Sequence, residues 1–96
     1  MQNVNEVKLV GTLHFIKGEQ VLETREGKYL RFSIRQDGLD CKGNPRHDFI
    51  LVRAFDPTVC EVIQKQTEGT SIGVEGTIRS SVGSGEIYVR AERLLA

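Results

Sequence analysis

The side chains best suited to covalent or metal chemistry are His14, His47, Cys41 and Cys60. None is spaced to act with another. No Cys-x-x-Cys and no metal-ligand spacing occurs. No phosphate-cradling loop or dinucleotide fingerprint is present, and Gly83-Ser84-Gly85 reads as a hairpin tip. No two carboxylates stand out as a general acid and base. The expectation is therefore a non-enzyme with no cofactor and no metal. Both histidines are expected as surface or loop residues. Cys60 is expected to pack as a small apolar group in a helix, and Cys41 to lie in a polar loop.

What the sequence does space is non-covalent chemistry. In Tyr29–Arg35, Leu30, Phe32 and Ile34 alternate with Tyr29, Arg31, Ser33 and Arg35. In Phe49–Phe55, Ile50, Val52 and Ala54 alternate with Phe49, Leu51, Arg53 and Phe55. If the aliphatic sets are core, the outward sets bring together three aromatics, three arginines and no acid. Such a face suits single-stranded nucleic acid. Every base has a π-face, so an exposed ring stacks with any sequence, for about 1–3 kcal/mol per base. Arginine and lysine neutralise phosphates and release counterions. Lys8 and Arg79 are expected to add phosphate contacts, with Lys28 at a hairpin edge. The same pattern also fits a subunit interface, or a face covered by helix or loop.

The elements that would position this face follow from period and punctuation. A first strand is expected over Val4–Leu13, a short one over Gln20–Thr24, and a turn at Arg25-Glu26-Gly27. Residues 36–48 read as a long polar loop, carrying Lys42 and Arg46, able to close over a bound strand. A helix is expected from Asp56-Pro57, with Asp56 as N-cap, an apolar stripe of Val59, Val62 and Ile63, and an end near Gly69. Strands resume over Thr70–Ser80, with Ile72, Val74, Gly76 and Ile78 inward, and over Glu86–Leu94, with Ile87, Val89 and Ala91 inward. Gly11, Gly73 and Gly76 fall inside strands, where small barrels bend. This order predicts an all-β, five-stranded Greek-key OB-fold barrel with one short helix between strands 3 and 4, filling residues 1–96 as a single domain.

Composition bounds the reading. The 96 residues are one domain's length, and 39% hydrophobic with 27% charged residues fits a folded chain. No run approaches the roughly 18 apolar residues of a membrane span, and the first residues, MQNVNEVKLVG, carry no secretory pattern. Two cysteines are too few for a disulfide scaffold, so cytoplasmic residence with free thiols is expected. Thirteen basic residues balance thirteen acidic ones, which argues against binding by bulk charge. Any positive surface must come from sorting charge onto one face.

Several segments resemble bacterial single-stranded DNA-binding proteins. Val4-Asn5-Glu6-Val7-Lys8-Leu9-Val10-Gly11-Thr12-Leu13 looks like their first strand, and Phe32-Ser33-Ile34 like their second. Asp48-Phe49-Ile50-Leu51-Val52-Arg53-Ala54-Phe55 resembles their third strand, opened by an aromatic and closed by phenylalanine. Val74-Glu75-Gly76-Thr77-Ile78 is similar to their Val-Glu-Gly strand, and Ala91-Glu92 fits their ending. The ordered set covers nearly the whole chain.

The resemblance implies an OB-fold that binds and protects single-stranded DNA in replication, recombination or repair. It implies a homo-oligomer, tetramer favoured and dimer possible, paired through the first strand, in the bacterial cytosol or nucleoid. Two stacking positions map onto Phe49 and Phe55. Two others, near Leu39 or Asp40 and near Val82 or Gly83, have no aromatic, and the chain has no tryptophan. Joined to the outward face read from strand parity, this gives an expected ligand set of Phe49, Phe55, Tyr29, Lys8, Arg31, Arg35, Arg53 and Arg79, with RNA a second possible ligand. Typical members continue into an acidic-tipped tail that recruits enzymes. This sequence stops at Leu94-Leu95-Ala96, so that role is not carried over. The thin aromatic set leaves an alternative: an accessory or assembly subunit, as in primosomal accessory proteins, acting through protein contacts.

Overall fold

The alternation in the two central segments is the seed of the architecture, because burying one face of each strand fixes where the other points. The computed structural model describes residues 2–25 and 27–95; Met1, Glu26 of the expected turn and Ala96 lie outside the described residues. The elements are β1 (Val7–His14), β2 (Val21–Thr24), β3 (Gly27–Leu39), β4 (Pro45–Ala54), α1 (Pro57–Gln64), β5 (Ser71–Ser80) and β6 (Ile87–Leu94). The sheet runs β1-β5-β6-β4-β3-β2. It closes because β1 also pairs with β3, through Thr12↔Arg35, Leu13↔Ile34 and His14↔Ser33. The ring is therefore five strands, with β2 added to β3, and only β4 and β6 run parallel. One short helix connects the third and fourth ring strands, which makes this the expected OB barrel.

Phe32, Ile34, Val52, Val74 and Ile63 are fully buried inside the ring. The helix plugs the barrel with Val59 and Ile63, one turn apart. Asp56 caps it: its Oδ1 accepts from the Thr58 amide at 2.8 Å and the Val59 amide at 3.4 Å. The helix stops at Gln64, short of the expected Gly69. Lys65 and Gln66 already donate to the carbonyls three residues back, tightening the last turn. Val62 is exposed, so only the Val59–Ile63 pair of the expected stripe reaches the core.

Three further expectations change. The first strand begins at Val7, and Val4 is 83% exposed. Asn5 still extends the pairing by side chain, donating to the Ile78 carbonyl at 2.7 Å and accepting from its amide at 2.8 Å. Ile78 and Ile87 have inward parity but remain exposed, since the β5–β6 hairpin runs past the buried interior. The polar stretch 36–48 is not an open loop. β3 and β4 stay paired from Arg35↔Phe49 out to Leu39↔Pro45, so the hairpin continues as an arm. The turn itself is pinned by Asp40, whose carboxylate accepts from the amides of Lys42 and Asn44 at 2.8 and 2.9 Å. Among the described residues, no helix is long and apolar enough to cross a membrane.

Two strand glycines are required by close approach. A Cβ on Gly11 would strike the Arg35 carbonyl of β3, and one on Gly76, at the β5 bulge, would strike the Arg90 carbonyl of β6. Gly38 on the arm faces open space at ordinary φ. Gly76→Ala should lose about 1–3 kcal/mol in urea denaturation, as overpacking against backbone does, while Gly38→Ala should stay within about 0.5 kcal/mol of the parent.

Candidate nucleic-acid interface

Cross-strand register builds the outer wall. Arg31 lies opposite Arg53, Ser33 opposite Leu51, and Arg35 opposite Phe49, all with outward parity. Phe49 is 54% exposed. The β1–β3 closure carries His14 onto the same wall, where its imidazole meets the Phe49 ring edge-on, centroids 4.9 Å apart. His14 Nε2 lies 3.9 Å from the Glu68 carboxylate.

An acid also enters this wall, contrary to the sequence expectation. The longer β3 places Asp37 next to Arg35, whose Nε is 3.0 Å from Asp37 Oδ1. His47 Nδ1 sits 2.6 Å from the same oxygen. The His47 hydrogen bond holds the Asp37 carboxyl below its ordinary value, desolvation opposes it, and the Arg35 charge adds to the lowering.

A second cluster lies further along β4. Arg53 stacks over the Tyr88 ring at 4.1 Å and the Tyr29 ring at 4.7 Å. Tyr29 packs on Phe55 at 5.2 Å, and Arg90 covers Phe55 at 5.1 Å. Both tyrosines are only 5% exposed. Tyr29 thus has the expected outward parity, yet it is roofed by its neighbours and is not an open stacking platform. Beside this cluster is a cleft of about 440 Å³ between the β2–β3 turn and the β5–β6 hairpin. Arg25, Arg53, Arg79, Phe55 and Tyr88 line it, and no carboxylate does among the described residues.

The eight expected site residues separate into groups. Phe55, Arg53, Arg79 and Tyr29 gather at or beneath this cleft, and Phe49 stands further along the wall. Arg35 is on the wall but ion-paired. Arg31 is turned away: its Nε donates to the Glu19 carbonyl at 2.9 Å and its Nη2 to the Lys17 carbonyl at 3.3 Å, pinning the β1–β2 connection. Lys8 lies elsewhere on the barrel, opposite Glu75, which is itself bound by Arg93 at 2.7 Å. Of the expected flanking cations, Arg46 pairs with Asp48 at 3.0 Å, and Lys28 lies opposite Glu23. Tyr88, Arg90, Arg25 and His14 are additions. The period-two rule that sends Val89 and Ala91 inward already sends Tyr88 and Arg90 outward; His14 needed the barrel closure.

Among the described residues no group of His, Cys, Asp and Glu is arranged to hold a metal. Both cysteines are free. Cys60 Sγ donates to the Ala54 carbonyl at 3.1 Å, and burial pushes its thiol up.

No protein-family model and no curated protein matches the sequence. Solved structures do match. A small single-stranded DNA-binding protein from Mycoplasma pneumoniae superposes at TM-score 0.69 and 16% identity, over 98% of this chain and 94% of that one. This is an OB-fold chain. PriB from Ralstonia solanacearum superposes at TM-score 0.69 and 15% identity, over 97% of each chain. The SSB of Plasmodium falciparum, in complex with ssDNA, superposes at TM-score 0.67 and 16% identity, over 100% of this chain and 98% of that one. At these identities the shared property is the barrel and its connectivity.

Arg31→Met should destabilise the barrel by about 1–2 kcal/mol, as lost charged hydrogen bonds to carbonyls do, and should raise amide exchange over residues 15–20. The arm has a pH signature. A lowered folded value means that the Asp37 contribution is present above the ordinary Asp value of 3.8 and is lost progressively as pH falls from there through the lowered one. Amide protection across 36–48 should therefore fall as pH drops below the ordinary value; because the Asn44 and Lys42 amides also hold the Asp40 carboxyl low, Asp37→Asn should shrink that transition and Asp37→Asn with Asp40→Asn should remove it.

Proposed function

We propose that this chain is a non-catalytic binder of single-stranded nucleic acid, with DNA the principal ligand. The observation that carries the reading is the arginine-lined cleft, free of described carboxylates, on the same barrel wall as the exposed Phe49. Bases stack on the exposed Phe49, Phe55 walls the cleft beneath Arg90, and phosphates meet Arg53 and Arg79. Tyr29 serves by supporting Phe55 and Arg53. Such binding is tolerant of sequence and holds single strands open and protected, as replication, recombination and repair require. The names of the fold neighbours, two of them single-strand binders, support the same reading. We further propose that the chain works as a homo-oligomer in the cytoplasm.

A second reading, an accessory subunit acting through protein contacts, is favoured by the fold likeness to PriB and by exposed Val82 and Leu39 near the two stacking positions of the resemblance that carry no aromatic. The readings part at two residues. Under the first, Phe49→Ala weakens oligo-dT binding by about 1–3 kcal/mol, Phe55→Ala weakens it through the cleft wall it supports, and affinity falls with salt at a log–log slope of roughly −0.7 per phosphate contact. Under the second, the same variants leave DNA affinity unchanged and alter self-association in light scattering. No binding of oligo-dT by the folded protein at low salt would refute the first. Parallel titrations with RNA and duplex DNA rank the ligands.

A further inference from the structure

The cleft beside Arg53 has a feature that general strand binding does not call for. Its aromatic rings are not open. Arg53 lies over both Tyr29 and Tyr88, and Arg90 covers Phe55. A base entering here would find guanidinium groups where it needs bare ring faces. The cleft is instead a convergence of cations: Arg25 from the β2–β3 turn, Arg53 from β4 and Arg79 from β5. Arginine stays charged at every pH the protein meets. A cation–π contact orients a guanidinium without cancelling its charge. Elsewhere on the barrel Arg35, Arg46 and Arg93 each face a carboxylate, whereas no described lining residue of this cleft is acidic.

Like charges gathered in a concave, low-dielectric site focus potential onto whatever anion enters. Three planar forks suit an anion with several acceptor oxygens in a row, since each fork matches a phosphate group. Hydroxyls of Ser80 and Ser81 stand on the same lining, and about 440 Å³ is room for a short phosphate chain.

We propose that this cleft is an oligophosphate site: Arg25, Arg53 and Arg79 hold successive phosphates of a strand's backbone, and Tyr29 and Tyr88 hold Arg53 in position. The site reads the backbone and is indifferent to the bases. The site deepens the strand-binding reading, yet its anion chemistry stands without it, so free oligophosphate is a ligand in its own right. The tyrosines then belong to the arginine and not to the nucleic acid.

The molecule carries its own reporter. It has two tyrosines and no tryptophan, and both tyrosines touch Arg53. Intrinsic emission therefore reports on this one cluster. The test titrates the folded full chain at low ionic strength with sodium tripolyphosphate, with an abasic deoxyribose-phosphate oligomer and with oligo-dT of equal length. Tyrosine emission and the thermal midpoint are read for each. The expected result is that tripolyphosphate and the abasic oligomer both change the emission and raise the midpoint, as ligand linkage requires. Arg79→Gln and Arg25→Gln, both at exposed positions, should each weaken tripolyphosphate roughly tenfold, the loss of one charge-assisted contact. Lys65→Gln, which removes a cation paired with Glu61 on α1, should leave it unchanged.

Silent tyrosines and an unmoved midpoint with tripolyphosphate would overturn the site. So would an equal loss in Arg79→Gln and Lys65→Gln, which means diffuse charge, or a response to oligo-dT that the abasic oligomer does not reproduce. If tripolyphosphate binds and oligo-dT does not, the site stands and the strand-binding reading falls. If oligo-dT binds while the tyrosines stay silent, the site falls and the strand-binding reading stands.

Discussion

Closure of the sheet between β1 and β3 is the constraint on which everything else rests. Three residue pairs make it, and Gly11 admits it by letting the two backbones touch. Once the ring is shut, Leu13, Phe32, Ile34 and Val52 have no direction but inward. Their neighbours in sequence then have no direction but outward. The wall of rings and cations is thus a by-product of core formation, set by parity before any ligand is considered.

Parity decides where side chains emerge, and pairing decides which charges remain effective. The sequence is neutral, and of the wall cations Arg35 is paired with Asp37 while Arg31 is bound to main-chain carbonyls; on the other face of the arm Arg46 is paired with Asp48. Arg25, Arg53 and Arg79 come together at one end of the wall, where three elements distant in sequence meet. Tyr29 shows the complementary effect. A ring that faces outward need not be available, because a neighbouring guanidinium is itself a good partner for an aromatic face.

Legibility followed burial. The strands around Phe32, Val52 and Val74 were readable because one face is apolar and the other polar, and the helix start was readable because Asp56-Pro57 has one structural use. The barrel type followed from their order. The arm was not readable, since both of its faces meet water and the apolar alternation vanishes with the core that causes it. Charge pairing was equally hidden. Arg31 in sequence is an outward cation like Arg53, and only the path of the β1–β2 connection makes it a clamp. Arg25 sits in a turn with no periodicity to place it, so the cleft it completes was invisible until the turn was folded.

The arm has a further implication for how the molecule behaves in company. Outside the ring its two strands, among the described residues, pair in the sheet with each other alone, so each presents an open rim to solvent. Rims of that kind template unwanted strand addition between molecules, the first step toward fibrous aggregates. Here Pro45 deletes one donor from the outermost position, and Asp37, Arg46 and Asp48 crowd the stretch with ionised groups. These features oppose the addition of a further strand to either rim of the ribbon.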